Sequence, residues 1–143
     1  MTVNDTASEI RDTFAFLDDW ETRYEHIIDL GKQLPDIPEE EKTDLFKVRG
    51  CASQVWIAPL DGPAPDAVYF RAQSDAMIVS GLIALLTELY NGQSASEILA
   101  FDAPGFFSEI GLDEALSAQR ANGLRAMLQR IEAMAKEKAG AVN

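Results

Sequence analysis

The sequence predicts an α+β fold, a small antiparallel sheet of about three strands packed against helices. Three observations predict it. Apolar residues recur at helical spacing towards both ends of the chain, and two short runs rich in β-branched and aromatic residues lie in the middle. A segment dense in Pro, Gly and Asp separates those two runs, as a hairpin requires. Strands and helices are segregated rather than alternating, which argues against a doubly wound sheet. With 143 residues, 47% of them apolar, the chain is expected to form one domain over residues 1–143.

The elements follow in order. Thr6-Ala7-Ser8-Glu9 has the spacing of a capping box, and Ile10, Phe14 and Leu17 continue at helical period. Asp18-Asp19 precedes a second stripe, Trp20, Tyr24, Ile27, Ile28 and Leu34, which Pro35 closes. Residues 36–42 are acidic, contain Pro38 and read as a loop, with Glu39-Glu40-Glu41 a solvated charge run. Residues 54–58 and 68–72 read as the hairpin strands, and Phe46-Lys47-Val48 as a third strand. Ser74 is placed as an N-cap with Asp75 in the first turn of an apolar helix that Asn91-Gly92 ends. Residues 94–101 read as a short helix and 102–105 as a turn. From Asn122, Leu124, Met127, Leu128, Ile131 and Met134 mark a final amphipathic helix with Gly140 as its stop.

Composition removes several function classes. Twelve Lys and Arg face 24 Asp and Glu, a net charge of −12, which disfavours a nucleic-acid surface. Cys51 and His26 are the single residues of their types, so the chain can form neither an internal disulfide nor a four-ligand Cys/His zinc site. No Gly-rich phosphate loop or dinucleotide fingerprint occurs. The N-terminal residues lack the cationic and apolar regions of a signal peptide. The longest apolar stretch, 76–86, is too short to span a bilayer. A free thiol suits a reducing compartment, so a cytoplasmic location is expected.

Chemistry concentrates at Arg49-Gly50-Cys51-Ala52-Ser53-Gln54. Cys51 lies between a loop and the first hairpin strand rather than on an apolar stripe, and Gly50 gives the backbone freedom beside it. Residues 42–54 carry Lys42, Lys47 and Arg49 against Asp44, a local +2. Nearby cations favour the thiolate, the nucleophilic form of cysteine. The competing reading is a small buried thiol without chemistry. His26, on the second helix beside Ile27 and Ile28, reads as a partly exposed helix residue rather than a catalytic base.

The stretch Gly50-Cys51-Ala52-Ser53-Gln54-Val55-Trp56 resembles the GCxSQVW signature of the SufE family, sulfur acceptors for cysteine desulfurases. Three further blocks are similar to that family in the same order: W-E-x-R-Y-E-H-I-I-D-L-G-K-x-L-P at 20–35, S-D-A-M-I-V-S-G-L at 74–82 and S-A-Q-R-A-N-G-L-R-A-M at 117–127. Two departures are Ser80, where Lys is common, and Ala118-Gln119, where Pro-Ser is frequent. The resemblance implies a fold shared with the IscU/NifU scaffold proteins. It implies that Cys51 takes persulfide sulfur from a PLP-dependent desulfurase of SufS or CsdA type, stimulates that enzyme, and delivers sulfur to an iron–sulfur scaffold of SufB or SufBCD type. PLP would belong to the partner, and this chain would hold no cofactor and no metal. Arg49, Gly50, Ser53, Gln54, Asp75 and Arg120 are the residues it implies for partner binding or loop support. A second reading is a CsdE-like relay feeding another thiolation pathway, such as tRNA modification. A third is a structural binding module with an inert Cys51. A monomer or weak homodimer, with no nucleic-acid or membrane partner, is expected. The lone cysteine itself suits a carrier, because a second thiol would discharge its persulfide as a disulfide. It argues against a cluster scaffold, which needs several thiolates.

Overall fold

The computed structural model describes residues 2–142. Helix α1 (Val3–Ala15) opens with a capping box four residues earlier than expected: Thr2 Oγ1 accepts from the Asp5 amide, and the Asp5 carboxylate accepts from the Thr2 amide. Thr2-x-x-Asp5 and Thr6-x-x-Glu9 both fit the pattern. The earlier start adds a turn that buries Val3 against the core, leaving Thr6 inside the helix with its hydroxyl donating to the Thr2 carbonyl. Helix α2 (Trp20–Lys32) begins directly after Asp18-Asp19 as expected, with the Asp19 side chain as its cap, accepting from the Thr22 amide at 2.8 Å. Residues 36–42 are a loop that includes a 3₁₀ turn at Glu39–Glu41.

The hairpin pairs β1 (Val55–Leu60) with β2 (Ala67–Ser74), in register from Val55 opposite Ser74 to Leu60 opposite Tyr69. The third strand is β3 (Gln93–Ser94), paired with Ala67 and Val68, and not residues 46–48. Those residues make a single bridge, Lys47 to Trp56, before the chain turns away at Gly50, so the ladder cannot propagate. A two-residue strand carries no alternation from which it could have been read.

Ser74 is the last residue of β2, not a helix cap. Its hydroxyl accepts from the Ala76 amide, and α3 (Met77–Tyr90) starts without a side-chain cap, leaving Asp75 outside the first turn. Asn91 and Gly92 (φ +82°) end that helix as expected. Helix α4 (Ala95–Ala100) is capped by Ser94. Residues 102–105 begin a helix rather than forming a free turn. Asp102 caps α5 (Ala103–Glu109) with Pro104 in its first turn, where a missing N–H costs nothing. A four-residue helix, α6 (Leu112–Ala115), is too short to show a periodicity. Helix α7 (Ala118–Val142) starts four residues before Asn122 and passes through Gly140, an open position where the absence of a side chain forces no stop.

Helix α3 is the centre of the fold, with Leu82, Ile83, Leu85, Leu86, Leu89 and Tyr90 all essentially inaccessible. Each such aliphatic side chain stabilises the fold by about 1.5–3 kcal/mol of burial. Helix α2 packs on α3 at glycine-to-backbone distance: a Cβ on Gly81 would lie 2.1 Å from the Ile27 carbonyl oxygen. The sheet and α7 complete the enclosure, and the loop before β1 is laid against α7.

Candidate functional site

Cys51 sits on the loop between the Lys47 bridge and β1. Gly50, just before it, has φ +92°, a left-handed conformation that a Cβ would strain. That turn reverses the chain against α7, where a Cβ on Gly50 would meet Ala126 at 3.4 Å. The thiol of Cys51 consequently points at the helix. Its Sγ lies 3.6 Å from the Gly123 carbonyl oxygen, and a Cβ on Gly123 would lie 3.5 Å from the sulfur. A cleft of about 160 Å³ opens beside the sulfur, walled by Ala52 and Ser53 of the loop, Val79 and Leu82 of α3, and residues 119–127 of α7.

The loop is closed by a two-way clasp to the start of α3. The Gln54 amide donates to Asp75 Oδ1 at 3.0 Å, and the Asp75 amide donates to the Gln54 carbonyl at 3.2 Å. The expected site residues therefore converge, with distinct positions. Ser53 and Arg120 line the cleft. Gln54 and Asp75 form the clasp. Gly50 makes the turn. Arg49 is exposed on the approach to it. His26 lies elsewhere, edge-on to Phe14 at 5.7 Å, lining a separate pocket with Glu9 and Glu88.

Electrostatics at the thiol differ from the sequence expectation. Burial pushes the Cys51 thiol above its ordinary range, and the cations do not offset it. Lys42 is engaged elsewhere, paired with Glu39 at 2.8 Å and lying over the Trp56 ring. Arg49 is exposed to water, which screens its charge. The thiol is half-buried, and that burial favours its protonated form.

Sequence reasoning assigns Val79, Leu82, Leu124 and Met127 to core stripes and does not place them beside Cys51. It misses Gly123 likewise, although a lone glycine within an amphipathic helix is a signal of close approach. Of the two departures from the family pattern, Gln119 lines the cleft. Ser80 instead donates to the Ser74 carbonyl at 3.3 Å and braces the junction of β2 with α3. Among the described residues no group of three or more His, Cys, Asp and Glu is arranged to hold a metal ion. No helix among them is long and apolar enough to cross a membrane.

Known proteins with similar sequences match nearly the whole chain. The family model described as "SufE: Fe-S metabolism associated domain" matches residues 8–135. An uncharacterized SufE-like protein of Rhizobium etli is 51% identical over 135 residues, covering 93% of this chain and 91% of its own length. One from Rhizobium meliloti is 51% identical over 130 residues, covering 90% and 93%. The sulfur acceptor protein CsdE of Escherichia coli K12 is 38% identical over 132 residues, covering 92% and 89%. The solution structure of a hypothetical protein from Thermus thermophilus superposes with a TM-score of 0.76, covering 94% of this chain and 96% of the other. At 23% identity it speaks to the fold alone.

Proposed function

Because this chain belongs to the SufE family, we propose that it is a sulfur acceptor that takes sulfane sulfur from a PLP-dependent cysteine desulfurase onto Cys51. The observation that carries this reading is the placement of the single thiol. It stands on a loop that is closed by one side-chain clasp and turned by one left-handed glycine, over a cleft with room beside the sulfur. The 38% identity to a protein named as a sulfur acceptor supports it.

The transfer is a displacement at sulfur. With the clasp open, Cys51 leaves the cleft and regains water, which restores the thiolate that burial disfavours. The thiolate attacks the outer sulfur of the partner's cysteine persulfide. A new S–S bond forms at Cys51, the partner's S–S bond breaks, and its electron pair departs on the partner's cysteine sulfur as a thiolate. The outer sulfur keeps its proton or loses it to solvent, so no external oxidant or reductant is required. Returning to the cleft then shields the persulfide behind Ser53, Gln119 and the apolar wall. PLP is supplied by the partner, and an iron–sulfur assembly scaffold in the same cytoplasmic compartment receives the sulfur.

Turnover of the desulfurase with cysteine and a reductant tests this. Adding the protein is expected to raise sulfide release, and Cys51→Ser is expected to abolish the rise while leaving the circular dichroism spectrum unchanged. Stimulation of equal size by Cys51→Ser would overturn the carrier mechanism.

A further inference from the structure

Charge is segregated across this molecule in a way that the net value conceals. Three segments meet around Cys51: the loop 44–54, the clasp residues 75–77, and the first half of α7 with its lead-in, 117–130. Four contacts tie them together. Arg130 donates to the Leu45 carbonyl at 2.8 Å, Gly50 abuts Ala126, Cys51 abuts Gly123, and Gln54 is clasped by Asp75. These segments carry Lys47, Arg49, Arg120, Arg125 and Arg130 against Asp44 and Asp75, a net of +3. The remainder carries seven cations and 22 carboxylates, a net of −15.

The ion pairing follows the same division. Among the described residues, pairs within 4 Å engage Arg11, Lys32, Lys42 and Arg71, all outside the Cys51 face. Among those same residues, none of the five cations on that face has a carboxylate partner within this distance. Arg130 is held by a backbone carbonyl, and Arg125 by the Asn122 side chain at 2.8 Å, so each is oriented without being neutralised. Two large apolar side chains also lie exposed in these segments, Leu45 at 76% and Met77 at 63%. Unpaired cations around exposed apolar side chains have the anatomy of a docking surface rather than of a solvated rim.

Resting on the sulfur-acceptor reading, we propose that this face is an electrostatic docking surface and that the desulfurase presents a complementary acidic rim around its persulfide site. The positive pole at Cys51 orients the carrier during encounter, while the −15 remainder turns the other faces away from the same acidic surface. Arg125 and Arg130, on the α7 side of the face, are specificity residues that do not touch the sulfur. Leu45 and Met77 supply the apolar contact once the surfaces meet.

Single-turnover loading of Cys51 by the PLP-loaded desulfurase, followed by intact mass after thiol trapping, tests the proposal. The mass of one added sulfur on Cys51 at low salt is the readout of the carrier itself, and its absence at every salt concentration would overturn that reading. Given loading, the second-order rate is expected to fall about tenfold from low to high ionic strength, and about tenfold in Arg49→Glu/Arg125→Glu at low salt. Both arginines are solvent-exposed side chains, and their loss leaves the core untouched. Lys138→Glu makes a charge change of the same sign and half the size about 22 Å further along α7 from Gly123, and is expected to alter the rate less than about twofold, against about threefold for half of the double variant's effect. Loading that is insensitive to salt, or equally slowed by Lys138→Glu, would overturn the docking surface while leaving the carrier intact.

Discussion

On the sulfur-acceptor proposal the Asp75 clasp sets how often Cys51 leaves its cleft, and its removal has a calculable effect. In Asp75→Ala the Gln54 amide loses its 3.0 Å acceptor, while the return bond from the residue 75 amide to the Gln54 carbonyl is retained. The lost bond is exposed, so water replaces it, and the net cost to the closed loop is about 1 kcal/mol. That is roughly a fivefold rise in the open population, since 1.4 kcal/mol corresponds to about tenfold. Where opening and closing are fast relative to labelling, the alkylation rate follows that population. The assay is the rate of iodoacetamide labelling of Cys51, followed by intact mass across a range of pH. A weaker clasp and the loss of a negative charge near the thiol both raise the rate below the midpoint, so Asp75→Asn, which loses the charge and keeps an acceptor oxygen, separates the two. Asp75→Asn keeps an acceptor oxygen and is expected to recover most of the closed state. A rate within about twofold of the parent protein in Asp75→Ala, at matched ionisation, would refute the clasp.

Three further outcomes follow from the same geometry. Burial raises the Cys51 thiol, so the resting protein is expected to label with a midpoint above the ordinary value of about 8.5 for free cysteine. A raised thiol favours the tucked state below the unfolded value, and that contribution is lost as pH rises through the folded one, so stability attributable to Cys51 falls on the alkaline side; Cys51→Ala is expected to flatten this in urea titrations. Gly81→Ala places a Cβ 2.1 Å from the Ile27 carbonyl oxygen and 2.4 Å from its Cγ2, which forces α2 and α3 apart. The intrinsic helical gain of about 1 kcal/mol for Gly→Ala is outweighed, and a net loss of about 1–3 kcal/mol is expected as a lowered thermal midpoint. His26→Ala removes the edge-on contact with Phe14 and is expected to cost about 1 kcal/mol of stability while sulfur loading onto Cys51 proceeds at the parent rate.

Much of the fold is legible because local chemistry dictates it. The Asp18-Asp19 helix start and the Asn91-Gly92 stop act through groups within four residues of themselves, and both fall where the sequence puts them. The errors fall where two local solutions compete. Thr2 and Thr6 both begin capping patterns, and burial of Val3 selects the first. Ser74 is as good a cap as any by type, but its backbone is already committed to Val55 in the hairpin. The third strand escapes sequence reading because a two-residue pairing rests on where α3 ends in space, which no alternation encodes.

The sequence by itself determined which atom the sulfur-acceptor proposal rests on. With one thiol in the chain and a glycine beside it, Cys51 has no rival, and the block at 50–56 carries that same cysteine. Tertiary structure decided the condition of that atom. The cleft walls come from α3 and α7, the latter more than sixty residues downstream, and desolvation by those walls outweighs the +2 charge of the adjacent loop. The same packing gathers five scattered cations into one face and leaves most of the acidic residues elsewhere. Charge order along a chain is local, whereas burial and field are sums over neighbours that only folding brings together.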